Sequence, residues 1–255
     1  MHLLLKFAAL CLLLLCATSQ AAGVYQYRVV AQYPHDSQAF TQGLLWHDGR
    51  LYESTGGYGK SRLREVILDT GQVVKEVSLP DRFFGEGLAL DGDRLLQLTW
   101  KSGIGFIYQR STLQRLATFR YPGEGWGAAM TDKALIISDG SSRLKFLQPK
   151  TFEVQKILAV HEGDKPVVNL NELEQVGGKL YANIWHRNKI AEINLETGEV
   201  MNWLDVSELA RQQGPLHQES VLNGIAYNPD NQHFYITGKR WPKLYELALI
   251  EPGKP

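Results

Sequence analysis

Asp69-Thr70-Gly71-Gln72-Val73 is a turn signal that returns three more times: Ser111-Thr112-Leu113-Gln114-Arg115, Lys150-Thr151-Phe152-Glu153-Val154 and Glu196-Thr197-Gly198-Glu199-Val200. The four threonines lie 42, 39 and 46 residues apart. Ahead of each turn stands a β-rich run such as residues 63–68 or 190–195, and ahead of that another, such as 51–55 or 180–185. The repeated unit therefore has four strands, and a four-stranded repeat with a period near forty is the signature of a β-propeller. Aligning the second strand of each unit on Leu51, Leu95, Leu135, Leu180 and Phe234 gives five units. The fifth stops near Leu249 after its third strand, while the chain begins with a spare strand at residues 25–33. The expected fold is all-β, a five-bladed β-propeller whose last blade is closed by the N-terminal strand, because such closure removes an exposed sheet edge. Only residues 206–212 read as helical, and the connections are too short and turn-rich for an α/β barrel.

The chain has 255 residues, and its first 21 read as a secretory signal peptide: Lys6, a leucine-rich run to Leu15, then Ser19-Gln20-Ala21 in a small-x-small cleavage pattern. Both cysteines, Cys11 and Cys16, lie in that segment and follow leucine, where a lipoprotein signal wants a small residue, so lipid anchoring through Cys16 is the disfavoured alternative. Residues 22–255 are then one exported domain without disulfides, held by its own core and placed in the periplasm or outside the cell. Lys plus Arg and Asp plus Glu balance at 27 each with no long run of either sign, which argues against nucleic acid or an anionic membrane as partner. No later apolar run approaches the roughly 20 residues needed to cross a bilayer.

The same alignment marks two sets of equivalent positions. On the innermost strands it stacks Gln42, Glu86, Trp126, Asn171 and Asn223, all but Asn171 followed by glycine. Glycine there suits strands crowded round a narrow axis. The residues before it are polar or aromatic and differ from unit to unit, as when a repeat fold builds a site from diverged positions. Fourteen residues on, sixteen in the last unit, the alignment stacks Gly56, Trp100, Gly140, Trp185 and Lys239, so both sets are expected at one end of the propeller. Glu86 is the only carboxylate in either set. Held between Gly85 and Gly87 in an apolar run, it is poorly solvated, and a carboxylate taken out of water has its pKa raised toward the range useful for passing protons. Core packing between blades is the competing reading for the tryptophans.

Other candidates are weaker. His35-Asp36 reads as a functional dyad or, more simply, as a loop cap. His161, His186, His217 and His233 have no metal-ligand spacing, and no metal site is expected. There is no Gly-x-Ser-x-Gly elbow and no phosphate loop.

Phe40-Thr41-Gln42-Gly43-Leu44, Phe84-Gly85-Glu86-Gly87-Leu88, Gly125-Trp126-Gly127, Asn171-Glu172-Leu173-Glu174, Ala182-Asn183-Ile184-Trp185, Leu222-Asn223-Gly224-Ile225-Ala226 and Thr237-Gly238-Lys239 through Leu244 occur in that order. Together they resemble the plant and bacterial type of glutaminyl-peptide cyclotransferase, a five-bladed propeller unrelated to the zinc-dependent animal enzymes of the same activity. The resemblance implies conversion of an N-terminal glutamine to pyroglutamate with loss of ammonia, on peptides or proteins. It implies Glu86 as the proton-transfer residue, with Phe40, Gln42, Phe84, Trp100, Trp126, Asn171, Trp185 and Lys239 forming the pocket. In that chemistry Lys239 and Asn171 are the expected donors to the carbonyl oxygen as it gains charge. No cofactor is required. A structural calcium ion in the central channel is compatible with the resemblance, although no acidic loop demands one. A monomer is the expected state. Two other functions stay open: a binding module that holds peptide ends or sugars without turning them over, and a metal-dependent lactonase, which needs several acidic ligands at the axis.

Overall fold

The computed structural model describes residues 22–214 and 217–253; the expected signal peptide lies outside them. After β1 (Gly23–Pro34) come β2 (Thr41–His47), β3 (Arg50–Thr55), β4 (Arg62–Ile67) and β5 (Gln72–Ser78), then β6 (Gly85–Asp91), β7 (Arg94–Thr99), β8 (Ile104–Gln109) and β9 (Arg115–Arg120). Next are β10 (Ala128–Met130), β11 (Leu135–Ile137), β12 (Arg143–Leu147) and β13 (Val154–Ala159), followed by a small hairpin, β14 (His161–Glu162) and β15 (Lys165–Pro166), that the repeat did not foreshadow. The chain ends with β16 (Leu170–Val176), β17 (Lys179–Ile184), β18 (Lys189–Asn194), β19 (Val200–Asp205), the short helix α1 (Ser207–Arg211), β20 (Leu222–Asn228), β21 (His233–Gly238) and β22 (Lys243–Ile250). The protein is all-β. β2–β5, β6–β9 and β10–β13 each form a four-stranded sheet, β14 and β15 pair only with each other, and the other eight strands form one sheet in the order β16-β17-β18-β19-β1-β22-β21-β20. In it β1 runs antiparallel to β22 and touches β19 in parallel only through Gly23, Val24 and Tyr25.

The recurring turn has a local cause. In all four copies the threonine hydroxyl accepts the N–H two residues on: Gln72, Gln114 and Glu199 at 3.2 Å and Glu153 at 3.4 Å. Such side-chain bonds favour a turn over continued strand. The residue after the threonine is left-handed in each, Gly71 at φ 68°, Leu113 at 56°, Phe152 at 59° and Gly198 at 82°. Leu113 and Phe152 tolerate this because their side chains pack: Leu113 is buried and Phe152 stacks on Phe119 with centroids 4.1 Å apart.

β2, β6, β10, β16 and β20 pack side by side in a circuit, each against the next and β20 back against β2. Five apolar clusters fill the spaces between neighbouring groups of strands. Leu45 and Leu63 meet Leu88 and Leu95, Leu96 meets Leu135 and Leu147, and Ile136 meets Leu173 and Leu180. Ile190 and Leu204 then meet Ile225 and Ile236, and Leu44 and Leu51 meet Tyr235 and Leu244. Each fully buried Leu or Ile contributes on the order of 1.5–3 kcal/mol, so these clusters are the main force holding the sheets together. At the narrow centre backbones touch: Gly87 N–H donates to the Trp126 carbonyl at 2.7 Å, and a Cβ on Gly87 would lie 2.5 Å from the Ala128 nitrogen.

Candidate active site

Four of the five inner strands break their ladder where a candidate residue stands. The register shifts between Thr41 and Gly43, Gly85 and Leu88, Leu170 and Leu173, and Leu222 and Ile225. Gln42, Glu86, Asn171 and Asn223 sit in these bulges, and a bulge re-aims a side chain out of the regular alternation. In the third sheet β10 starts only at Ala128, just past Trp126. The second set follows the ends of the second strands. The N–H groups of Gly56, Trp100, Trp185 and Lys239 donate to the carbonyls of Phe40, Phe84, Asn169 and Val221 at 2.8–3.0 Å. Each carbonyl lies two residues before the inner-strand residue of the same unit, so both sets are at one end of the molecule.

There they line one cavity of about 340 Å³, made by Phe40, Gln42, Phe84, Glu86, Trp100, Trp126, Asn171, Trp185 and Lys239, with Glu219 in addition. That size is at the small end for a ligand cleft. The two glycines of the second set leave room for rings: a Cβ on Gly56 would come within 2.2 Å of Phe84, and one on Gly140 within 2.7 Å of Trp126. Phe40 meets Phe84 edge-on at 6.0 Å, Phe84 meets Trp100 at 5.6 Å, and Trp126 meets Trp185 at 5.5 Å.

The polar groups in this apolar cavity are almost wholly buried. Glu86, Gln42 and Lys239 are each 4% exposed and Asn171 2%. Gln42 donates Nε2–H to Glu86 Oε1 at 2.9 Å and accepts at Oε1 from Asn223 Nδ2 at 3.1 Å. Asn223 also donates to the Thr41 carbonyl at 3.0 Å, which fixes the Gln42 amide from behind. Asn223 is thus a support for the cavity and not part of its lining. Burial pushes Glu86 well above the ordinary carboxylate range; the Lys239 charge pulls it back and the Glu124 charge pushes it further. Burial likewise lowers Lys239, against the pull of Glu86 and Glu219. Lys239 Nζ lies 4.8 Å from the Phe40 ring centre, a cation–π contact. Asn171 lines the cavity, and its Oδ1 is buried without a hydrogen-bond partner.

The sequence reading missed two carboxylates here. Glu219, from the segment between α1 and β20, lines the cavity and stands 3.5 Å from His186 Nε2. Glu124 accepts from Trp100 Nε1 at 2.8 Å and Trp126 Nε1 at 3.0 Å. Glu219 has no counterpart in the repeat, but Gly123-Glu124-Gly125 repeats the glycine-flanked pattern of Glu86 and was a usable signal. His35-Asp36 lies outside the cavity. His35 bonds Glu53 and the Trp241 carbonyl, while Asp36 takes the Gln38 N–H at 2.8 Å and Arg64 at 2.8 Å, which makes the pair a structural joint.

For a channel cation the side chains are poorly suited. Buried Glu172 already accepts the N–H of Leu44 at 3.3 Å and of Ile225 at 2.8 Å, and Glu174 accepts that of Tyr227 at 3.0 Å. Among the described residues no three His, Cys, Asp or Glu side chains gather as a metal site. Nor, among them, is any helix long and apolar enough to cross a membrane.

A family model described as glutamine cyclotransferase matches residues 3–249. An Arabidopsis thaliana protein described as glutaminyl-peptide cyclotransferase is 41% identical over 232 residues, 89% of this chain and 72% of the relative. The crystal structure of Myxococcus xanthus glutaminyl cyclase superposes with a TM-score of 0.85 at 40% identity, covering 89% of this chain and 98% of that one.

Proposed function

The chain belongs to the glutamine cyclotransferase family, and from that membership and the cavity's geometry we propose that Glu86 is its proton-transfer residue. The protein is a glutaminyl-peptide cyclotransferase: the α-amine of an N-terminal glutamine attacks the side-chain amide carbon, ammonia leaves, and a pyroglutamyl end remains. The observation that carries Glu86 is a carboxylate 4% exposed, on the wall of an aromatic cavity, with one oxygen held by Gln42.

The chemistry fits those surroundings. The free amine, with a pKa near 7.7–8.0, is about nine-tenths protonated at neutral pH. The neutral fraction is the nucleophile; as carboxylate, Glu86 takes the proton that the amine nitrogen sheds on bonding to the amide carbon, and as the tetrahedral carbon collapses it hands that proton to the departing nitrogen, which leaves as neutral ammonia. Such a shuttle is worth on the order of 10²–10⁴ in rate. Lys239 and Asn171 donate to the oxygen as it gains charge. Gln42 orients the amine beside Glu86, and Phe40, Phe84, Trp100, Trp126 and Trp185 exclude water and hold the side chain folded for ring closure.

The fold we propose for this site is a single five-bladed propeller over residues 22–255. The circuit of inner strands, the five apolar clusters between groups of strands and the seat of β1 on β22 support it. A monomer suffices, since one chain supplies the whole cavity, and the leader-like residues 1–21 favour a periplasmic or secreted site of action. The test is incubation of the full chain with a Gln-initiated peptide, followed by mass spectrometry. Loss of ammonia is expected; tight binding with no mass change would favour the binding module.

A further inference from the structure

The aromatic wall of the cavity consists of two runs of touching rings. Phe40, Phe84 and Trp100 make one run and Trp126 with Trp185 the other. Glu124 stands between them, half-buried, in the loop from β9 to β10. A single oxygen, Oε2, accepts both indole N–H groups, at 2.8 and 3.0 Å. The backbone is tied as well, since Gly125 N–H donates to the Trp100 carbonyl at 3.0 Å. Two planar donors sharing one acceptor have their relative tilt set by it, and a charged acceptor makes both bonds stronger than a neutral one would.

We propose that Glu124 is a positioning residue, whose one carboxylate oxygen ties Trp100 to Trp126 and so fixes the cleft in which the substrate's glutamine side chain folds back on its own amine. This rests on the cyclotransferase reading of the cavity. Ring closure is intramolecular, so its rate depends on the conformer the walls enforce, and a displacement of about 1 Å can cost about 10²-fold. Nothing in the reaction requires Glu124 to exchange a proton or touch the reacting atoms. Its charge has one further effect, because it opposes ionisation of Glu86 while Lys239 favours it.

Glu124→Ala and Glu124→Gln separate the tie from the charge. On a short Gln-initiated peptide, Glu124→Ala is expected to lose about tenfold or more in kcat with a smaller change in KM. Its tryptophan fluorescence should also become more accessible to acrylamide. Glu124→Gln keeps a carbonyl acceptor and should stay within about threefold of the parent kcat, while the acid limb of its kcat/KM profile moves to lower pH because an anion near Glu86 is gone. Parent kcat and parent quenching in Glu124→Ala would overturn the proposal, as would a Glu124→Gln variant as slow as Glu124→Ala. Should Glu124→Ala fail to fold, Glu124→Gln decides alone: near-parent kcat with the shifted limb supports the tie, and a tenfold loss refutes it. A parent protein that forms no pyroglutamyl product would refute the reaction instead, and the quenching comparison would still report on the tie.

Discussion

Glu86 and Lys239 are opposite charges taken out of water in one cavity, and burial drives each toward its neutral form. The Glu86 carboxylate must be ionised to accept a proton, so kcat/KM should rise as pH passes upward through its elevated value. Lys239→Met removes the cation that favours the ionised form, and the acid limb of the profile should then move to higher pH as well as losing amplitude; an unmoved limb would mean the two charges do not communicate. Asn223 is tested through stability as well as rate. Asn223→Ala leaves the Thr41 carbonyl and the Gln42 amide short of a donor in a buried place, which should cost about 1–3 kcal/mol in denaturant unfolding and lower kcat. At this scale the sequence was informative where chemistry recurs at equivalent positions: Gln42, Glu86, Trp100, Trp126, Asn171, Trp185 and Lys239 could be found by stacking the units. Glu219 could not, because it sits in a segment outside the repeat. Glu124 was legible as a second Gly-Glu-Gly but lies two residues ahead of its stacked neighbour Trp126.

The turns between third and fourth strands were readable because their cause is local: a threonine hydroxyl, an N–H two residues on, and a left-handed residue between them. Thr197→Ala should therefore cost about 0.5–1.5 kcal/mol of stability and leave kcat unchanged, as measured by urea unfolding and steady-state assay. Leu113 sets two effects against each other. Glycine would relieve a left-handed conformation costing roughly 1–2 kcal/mol, yet it would empty a buried leucine site worth roughly 2–5 kcal/mol. Leu113→Gly is expected to destabilise, and a stabilised variant would mean that backbone strain dominates there. The bulges were not readable. Whether Gln42 or Asn171 leaves its ladder depends on how the next strand takes up register, a non-local matter at which the glycine after Gln42 only hints and for which Asn171, followed by Glu172, has no such sign.

At the scale of the molecule, first and last elements are joined by a buried network as well as by strands. His35, just past β1, offers both ring nitrogens to acceptors, Nδ1 to the Trp241 carbonyl at 2.6 Å and Nε2 to Glu53 at 3.0 Å, while Arg64 holds the other Glu53 oxygen at 2.7 Å. Burial alone would lower His35, but the Glu53 charge and hydrogen bond leave it raised; burial would raise Glu53, but His35 and Arg64 hold it at about 2. The His35 contribution is complete below its unfolded value of 6.5 and fades as pH climbs through the folded one. That of Glu53 is complete above 4.5 and fades toward pH 2. The difference in Tm between the parent and His35→Gln should thus be widest between those pH values and narrow on the alkaline side; a difference independent of pH would show that His35 is neutral in the fold. This joint was foreseen only as a loop cap, since Glu53 and Arg64 reach it from strands that no local pattern connects to it. The most direct measurement is single-turnover pyroglutamate formation by Glu86→Gln, with peptide affinity measured alongside. The expected result is a rate lower by about 10²–10⁴ with binding and Tm near the parent, and a folded Glu86→Gln protein that releases ammonia at the parent rate would contradict the assignment.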